Sequence, residues 1–337
     1  MDRCSMTSRR GRRSVAARVA IAALCLETQT HYKHIHIRGY YSRSRPGSAA
    51  LYWLARGPQV NQFRTISHAD AQELIATDGA VVLDVRTPGE HDDLGHIPGS
   101  WLLPLDLVVS AAAVLPDDGR PVLVYCEHGV RSVAASRLLS QAGVTEVLNL
   151  AGGMASWTGA REFGATPMRG PAAWLIENAD LLPRGGKVLD VACGRGRHAL
   201  LLSSAGFDVH AIDRDPEVIE FLQSTAERLS LSLTCEVLDL ETDPPPALPG
   251  PCDAILVFNY LHRPLMPALR AALAPGGRLF DETFTTQQAE RGHPKNPAFL
   301  LNEGELAALV SPLTVMRSRE GEFDGRFVSS IVAERRD

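Results

Sequence analysis

The stretch PVLVYCEHGVRSVAAS, residues 121–136, decides how this chain folds. An apolar run from Pro121 to Cys126 stops at Glu127-His128-Gly129, and a run of that kind reads as a buried strand. The next segment, VRSVAASRLLSQAG (130–143), sets Val133, Ala134, Leu138 and Leu139 on helical spacing and stops at Gly143, a C-cap position. The unit is a strand, a short turn and a helix. Working outward, AVVLDV (80–85) and EVLNL (146–150) are further buried strands. SHADAQELIA (67–76) is a short helix, with Ser67 and Asp70 spaced as an N-terminal cap. Strands that alternate with helices predict an α/β domain over a mainly parallel sheet.

A second series of the same kind follows REFGATPMRGPAA (161–173), where glycine and proline break the periodicity. KVLDV (187–191), FDVHAID (207–213), LTCEVLD (233–239), CDAILVFNY (252–260) and RLFDETF (278–284) read as strands, and LTVMRSREG with RFVSSIVAE as a terminal antiparallel pair. RHALLLSSAG (197–206) and PEVIEFLQSTAERL (216–229) read as helices, the second opening on a proline at its first position. The expected organisation is a basic extension over 1–60, one domain over 61–162, a linker over 163–174 and a second domain over 175–337.

Composition supports two folded domains, since 337 residues exceed what one core usually holds. Residues 1–60 carry eleven Lys/Arg against two Asp/Glu, and the other 277 residues carry 23 basic against 37 acidic side chains, a net of −14. So acidic a body gives no electrostatic reason to expect nucleic-acid binding. The apolar stretch Val15–Leu26 is interrupted by Arg18 and is too short to span a bilayer; its outline also fits a presequence of organelle type. His31, His34 and His36 have no acidic or cysteine partner nearby, and no metal site is expected. Six cysteines without a CxxC pair fit a reducing compartment, and a cytoplasmic location is expected.

In a parallel α/β sheet, ligands bind beyond the carboxyl ends of the strands. Cys126 stands at such an end. Glu127, His128, Gly129 and Val130 form the loop after it, whose N–H groups can converge on the sulfur, and a helix N-terminus adds positive potential. Arg131, folded back over the loop, would add to this. These are conditions that lower a cysteine pKa and let a thiolate attack sulfur or phosphorus electrophiles or carry an extra sulfur atom. The residues alone leave open a nucleophile or a buried structural cysteine. Metal ligation has only His128 as a nearby partner.

Three segments, LDVRTPGEHDDLGHIPGSWLLPL (83–105), VLVYCEHGVRS (122–132) and LNLAGGMASW (148–157), together resemble a rhodanese domain in the family's order. The resemblance implies that Cys126 bears a persulfide cradled by the backbone of Glu127 to Arg131. It makes Asp84 and Arg86 supports of the loop, and Gly95, His96 and Gly99 shapers of the turn before the next segment. Thiosulfate or a persulfide would be the sulfur donor. The loop has the length found in sulfurtransferases rather than in the related phosphatases.

The turn VACGRGR after the strand ending at Asp190 is a different glycine-rich site. It lacks the third glycine of a dinucleotide fingerprint and the Gly-Lys-Ser/Thr of a phosphate loop. Its neighbours are informative: successive strand ends carry Asp190, Asp213, Asp239 and Asn259, facing one crevice. A rim that acidic suits an uncharged or cationic nucleoside better than a pyrophosphate. LDVACGRGRHALLL (189–202), FDVHAIDRDPEVIEFL (207–222) and GHPKNPAFLLNEGEL (292–306) resemble class I S-adenosylmethionine-dependent methyltransferases of the tellurite-resistance and small-molecule branch. That resemblance implies a Rossmann-like seven-stranded sheet with S-adenosylmethionine as cofactor. Gly194 and Gly196 would lie at its amino-acid end, Asp213 at the ribose, and Asp239 and Leu240 at the adenine. Asp190, Ala192, Arg214 and Asn259 would complete the site. Tyr260 and His262, just past a strand end, are candidates for positioning a small-molecule methyl acceptor, and Phe284, His293, Asn296 and Phe299 for lining its pocket. A thiol, persulfide or chalcogen anion would need no general base. Two alternatives remain at this level: a methyltransferase whose first domain senses thiols, and a sulfur-relay or interaction protein without methyl transfer.

Overall fold

Two central strands set the first lobe. Val81–Asp84 and Val122–Tyr125 are buried at every position, as strands covered on both faces by helices must be. In the computed structural model, which describes residues 63–115, 119–164 and 170–336, they lie at the middle of a five-stranded sheet. The first lobe runs β1 (Arg64–Ile66), α1 (His68–Ala76), β2 (Val81–Asp84), α2 (Pro88–Asp93), β3 (Trp101–Leu102), α3 (Val108–Ala111), β4 (Val122–Tyr125), α4 (Val130–Gln141) and β5 (Val147–Leu150). The strand order is β1-β5-β4-β2-β3 and every pairing is parallel. The capping box expected at α1 is present: Asp70 N–H donates to Ser67 Oγ while the Asp70 carboxylate accepts from Ser67 N–H.

The second lobe runs α5 (Ala173–Glu177), β6 (Lys187–Val191), α6 (Arg197–Ser204), β7 (Asp208–Asp213), α7 (Pro216–Arg228), β8 (Leu233–Val237), β9 (Cys252–Phe258), α8 (Met266–Ala272), β10 (Leu273–Phe284), α9 (Gln288–Arg291), α10 (Glu305–Leu309), β11 (Thr314–Phe323) and β12 (Arg326–Glu334). Its seven strands are ordered β11-β12-β10-β9-β6-β7-β8. β12 is antiparallel to both β10 and β11, and the other pairings are parallel. The chain leaves β6 toward β7 and β8, then returns to β9 on the other side of β6. The strand order reverses there, and the crevice above β6 and β9 is where such a sheet binds ligands.

The structure departs from the sequence reading in places. α4 buries Ser132, Ala135, Ser136, Leu139 and Ser140, whereas Val133, Ala134 and Leu138 are only half-buried. Small hydroxyl-bearing residues let the helix lie close to the sheet, so its inner face is not its most apolar one. β10 begins at Leu273, five residues before the expected Arg278, with a register shift in between.

The lobes share one core. Val108, Ala111 and Leu115 of the first lobe belong to the same buried cluster as Trp174, Leu175, Ile176 and Leu182 of the second. The basic extension (1–60), with its histidines and the stretch Val15–Leu26, lies outside the described residues, as do 165–169 of the expected linker. Cys126, Cys193, Cys235 and Cys252 are free, and Cys4 and Cys25 lie outside the described residues. Among the described residues no helix is long and apolar enough to cross a membrane, and no group of His, Cys, Asp and Glu is placed to hold a metal ion.

Candidate functional sites: a cysteine loop and a glycine bend

Cys126 follows the last residue of β4, and its side chain is buried. Gly129, with φ 83°, starts α4 and offers no side chain to cap it. The cysteine sulfur fills that role. Ser132 N–H, in the first turn and so without a partner inside the helix, donates to Sγ at 3.3 Å, and Ser132 Oγ lies 3.5 Å from Sγ. On the outer side, Met154 and Ala155 N–H donate to the carbonyls of Cys126 and Glu127, each at 2.8 Å. Gly153 makes this clamp possible, since a Cβ there would lie 2.3 Å from the Cys126 carbonyl oxygen. With both carbonyls held outward, the loop amides are free to turn toward the sulfur side.

Asp84 and Arg86 brace the loop from β2. Arg86 is fully buried and donates to Asp84 through Nε (3.0 Å to Oδ1) and Nη2 (2.8 Å to Oδ2), to Gly95 O at 2.7 Å, and through Nη1 to Glu127 Oε2 at 2.7 Å. Burial works against the charge on Asp84, but hydrogen bonds with His91 and Arg86 outweigh it and hold the carboxyl below its ordinary value. Arg86 is likewise held protonated by Asp84 in spite of its burial. Glu127 is therefore drawn inward onto Arg86.

Arg131 corrects an expectation. It does not fold over the thiol; it makes a two-point ion pair with Glu90 on α2, one contact at 2.8 Å from Nη1 to Oε2 and the other between Nη2 and Oε1. The guanidinium pulls Glu90 down to a pKa of about 2. Arg131 thus ties α4 to α2 beside the loop. His128 and Val130 are exposed, Val130 to 77%, and contribute backbone only. Gly95 and Gly99 both adopt positive φ, consistent with turns there. His96 is buried and stacked on His91 with ring centres 3.7 Å apart, a packing role.

In the second lobe Asp213 ends β7 and turns back to the glycine bend, where its Oδ2 accepts Gly194 N–H at 2.9 Å. Its Oδ1 accepts Asp215 N–H at 3.1 Å. Asp190 is buried, accepts Ala199 N–H at 3.2 Å and lies 3.8 Å from His198 Nδ1. Ala192 and Asn259 both have positive φ, at 53° and 58°, and Asn259 Oδ1 accepts from Arg326 at 3.3 Å. Leu240 is buried, and Arg214 reaches Glu241 at 3.2 Å.

Two cavities meet at this bend. One, of about 610 Å³, is lined by Asp213, Arg214, Leu240, Tyr260, Ala192 and Asn259. The other, of about 1150 Å³, shares Ala192 and Asn259 and adds Asp190 and Gly194. A Cβ on Gly194 would meet nothing within 4 Å, so the bend is open there. Gly196 and Asp239 line neither cavity. A Cβ on Gly196 would lie 2.3 Å from Leu222 of α7, so its bareness answers to helix packing rather than to ligand approach. Asp239 is exposed and accepts Glu241 N–H at 3.0 Å.

Of the positioning candidates, Tyr260 lines the smaller cavity, its hydroxyl unpartnered and its pKa raised by burial, whereas His262 lines neither and its Nε2 is buried without a partner. Phe284, His293 and Phe299 line the smaller cavity, and Asn296 caps a short turn by accepting Ala298 N–H at 3.0 Å.

Sequence reasoning missed His198, Glu282 and Arg319. His198 accepts Ala172 N–H at 3.1 Å, and burial lowers its pKa. Glu282, buried on β10, accepts from Arg319 (3.1 Å), Arg326 (3.4 Å) and Ser330 (2.8 Å). Two adjacent acids inside the strand RLFDETF were the available signal. The other, Asp281, is buried with neither carboxylate oxygen partnered, and burial raises its pKa well above normal.

A parallel five-stranded lobe with a buried cysteine capping a helix, followed by a seven-stranded sheet with an antiparallel terminal pair and a glycine bend, defines a rhodanese-like domain fused to a class I methyltransferase domain. Comparison with known proteins agrees: residues 67–160 match the rhodanese-like domain family and residues 188–277 a methyltransferase domain family. The sulfurtransferase of Allochromatium vinosum is 38% identical over 91 residues, 27% of this chain and 83% of that protein. The thiosulfate sulfurtransferase GlpE of Pseudoalteromonas translucida is 31% identical over 98 residues, 29% of this chain and 91% of that protein. Through its first lobe the chain belongs to the rhodanese-like family. Among solved structures, TehB from Haemophilus influenzae aligns with 21% identity and a TM-score of 0.43, over 49% of this chain and 63% of that one.

Proposed function

We propose that the chain is a methyltransferase that uses S-adenosylmethionine on a small sulfur-bearing or chalcogen acceptor, and that its first lobe carries sulfane sulfur on Cys126. The observation that carries the reading is the Asp213–Gly194 pairing, Gly194 lining the larger cavity and Asp213 the smaller. The residues present fit the cofactor: Leu240 offers an apolar floor for a base, Asp213 a carboxylate for ribose hydroxyls, and the open side of Gly194 room for the amino-acid end. When bound, S-adenosylmethionine supplies an electrophilic methyl group that a soft anion takes by displacement, without oxidant or reductant. The chain's own part is alignment of the reactants, which can supply several of the roughly 7–11 kcal/mol open to well-oriented reactants.

In the first lobe the Cys126 thiolate attacks the outer sulfur of thiosulfate. The S–S bond breaks, sulfite departs with the electron pair, and Cys126 is left as a persulfide. Ser132 N–H, already at 3.3 Å from Sγ, holds the anion, and the Arg86–Glu127 pair fixes the loop. A persulfide acceptor then removes the outer sulfur and restores the thiolate. Isothermal titration of the full chain with S-adenosylmethionine tests the first half: saturable binding below about 1 mM is expected, and its absence overturns methyl transfer. Sulfite release from thiosulfate in the presence of cyanide tests the second.

A further inference from the structure

The larger cavity is walled by both lobes. Gly194, Asn259 and Arg326 come from the second lobe, and Pro88, Pro104 and Leu107 from the first. Its volume of about 1150 Å³ exceeds what the amino-acid end of the cofactor would occupy, and it shares Ala192 and Asn259 with the lining of the smaller cavity. Arg326 donates to Asn259 Oδ1, so a guanidinium stands at that junction. The first-lobe wall is anchored to the second lobe, because α3 shares its core with α5.

We propose that the methyl acceptor binds in this chamber as an organic thiolate, its apolar body against Pro104 and Leu107 of the first lobe and its sulfur at the Ala192–Asn259 junction beside Arg326. This rests on the methyltransferase reading and adds that the first lobe builds part of the acceptor site. The chamber offers an apolar body the surface of Pro104 and Leu107 and a thiolate the guanidinium of Arg326, which also donates to Glu282, in a lining that carries Asp106, Glu177, Asp190 and Asp324 as well. The chemistry balances: the thiol releases its proton to solvent, its sulfur forms the new bond to the methyl carbon, and the electron pair of the broken bond stays on the cofactor's sulfur. The chamber also borders Thr87, next in sequence to Arg86, which holds Glu127 of the cysteine loop.

The test uses the full chain and 4-nitrothiophenolate as the probe, read both by isothermal titration in the presence of S-adenosylhomocysteine and by methyl transfer. Leu107→Trp and Asp106→Trp each place an indole at the first-lobe wall, and Val109→Arg, on an exposed position outside it, is the control. The expected result is a rise of about tenfold or more in the probe's Kd for both wall variants, with S-adenosylmethionine affinity within about twofold of the parent. Retained thiosulfate–cyanide sulfur transfer shows that the wall variants are folded, and Asp106→Trp, at an exposed site, keeps the test valid if Leu107→Trp fails to fold. Unchanged probe affinity in the folded wall variants overturns the composite chamber. Cofactor binding without probe binding overturns the acceptor class, and absence of cofactor binding overturns the underlying reading instead.

Discussion

At Cys126 the chain turns out of β4 into α4, and at Ala192 it turns out of β6 into α6. Both helices start from a glycine in the left-handed conformation, Gly129 at φ 83° and Gly196 at 79°. The first turn closes on an atom of its own chain: the sulfur takes a first-turn amide, and Met154 and Ala155 pin the outer carbonyls. The second leaves room beside Gly194, whose amide is drawn to a carboxylate on the next strand. One strand–turn–helix plan can therefore hold a reagent that belongs to the protein or make room for one that does not. The difference lies in what occupies the space beneath the helix.

The comparison breaks most directly at its reagent. Cys126→Ser should lower thiosulfate–cyanide sulfur transfer by at least about a thousandfold while leaving S-adenosylmethionine titration unchanged, because a hydroxyl is a poor nucleophile at neutral pH. Residual transfer within tenfold of the parent, about 1.4 kcal/mol, would place the persulfide elsewhere.

Next in size is the brace. Arg86→Met leaves Asp84 buried without its ion-pair partner and should cost about 3–5 kcal/mol in urea unfolding. Arg86→Lys should recover only part of this, since an ammonium cannot reproduce the fork that spans Asp84, Gly95 and Glu127.

At the other turn, Asp213→Ala should weaken S-adenosylmethionine binding by roughly ten- to a hundredfold, as expected for losing hydrogen bonds to a charged group, with sulfur transfer intact. An unchanged affinity would mean that the open side of Gly194 holds something other than the nucleoside.

The smallest effect is with pH. His198 stays neutral in the folded chain because burial depresses its pKa below the ordinary 6.5. The unfolded chain takes up that proton first, so this contribution to stability is present above about pH 6.5 and is lost as pH falls, by up to about 1.4 kcal/mol per pH unit. His96 acts in the same sense. Asp281 opposes them, since a raised carboxyl pKa favours the folded state at lower pH. The informative quantity is therefore the difference between parent and His198→Asn in urea midpoint from pH 7.5 to 5.5, where the variant should show the shallower fall.

Much of this was legible in the sequence because buried parallel strands are written as apolar runs. β2, β4, β6 and β9 could be read that way. β1 and β3, with three and two residues, are too short to carry a pattern. The inner face of α4 is not legible as an apolar stripe because its close packing selects serine and alanine over larger apolar residues. At the sites, strand-end position drew attention to Asp213 and Cys126, but strand-end position does not say where a side chain turns. Arg131 turned to Glu90 and Asp239 to its own turn. The larger cavity was illegible for a further reason: it exists only once two separately encoded lobes are packed together.

That packing has a consequence for the molecule as a whole. With Val108, Ala111 and Leu115 of one half interleaved among Trp174, Leu175 and Ile176 of the other, each half buries part of its apolar surface against its neighbour. Cut apart, each would present an oily scar to water and tend to aggregate. Heated intact, the pair should melt in a single calorimetric peak.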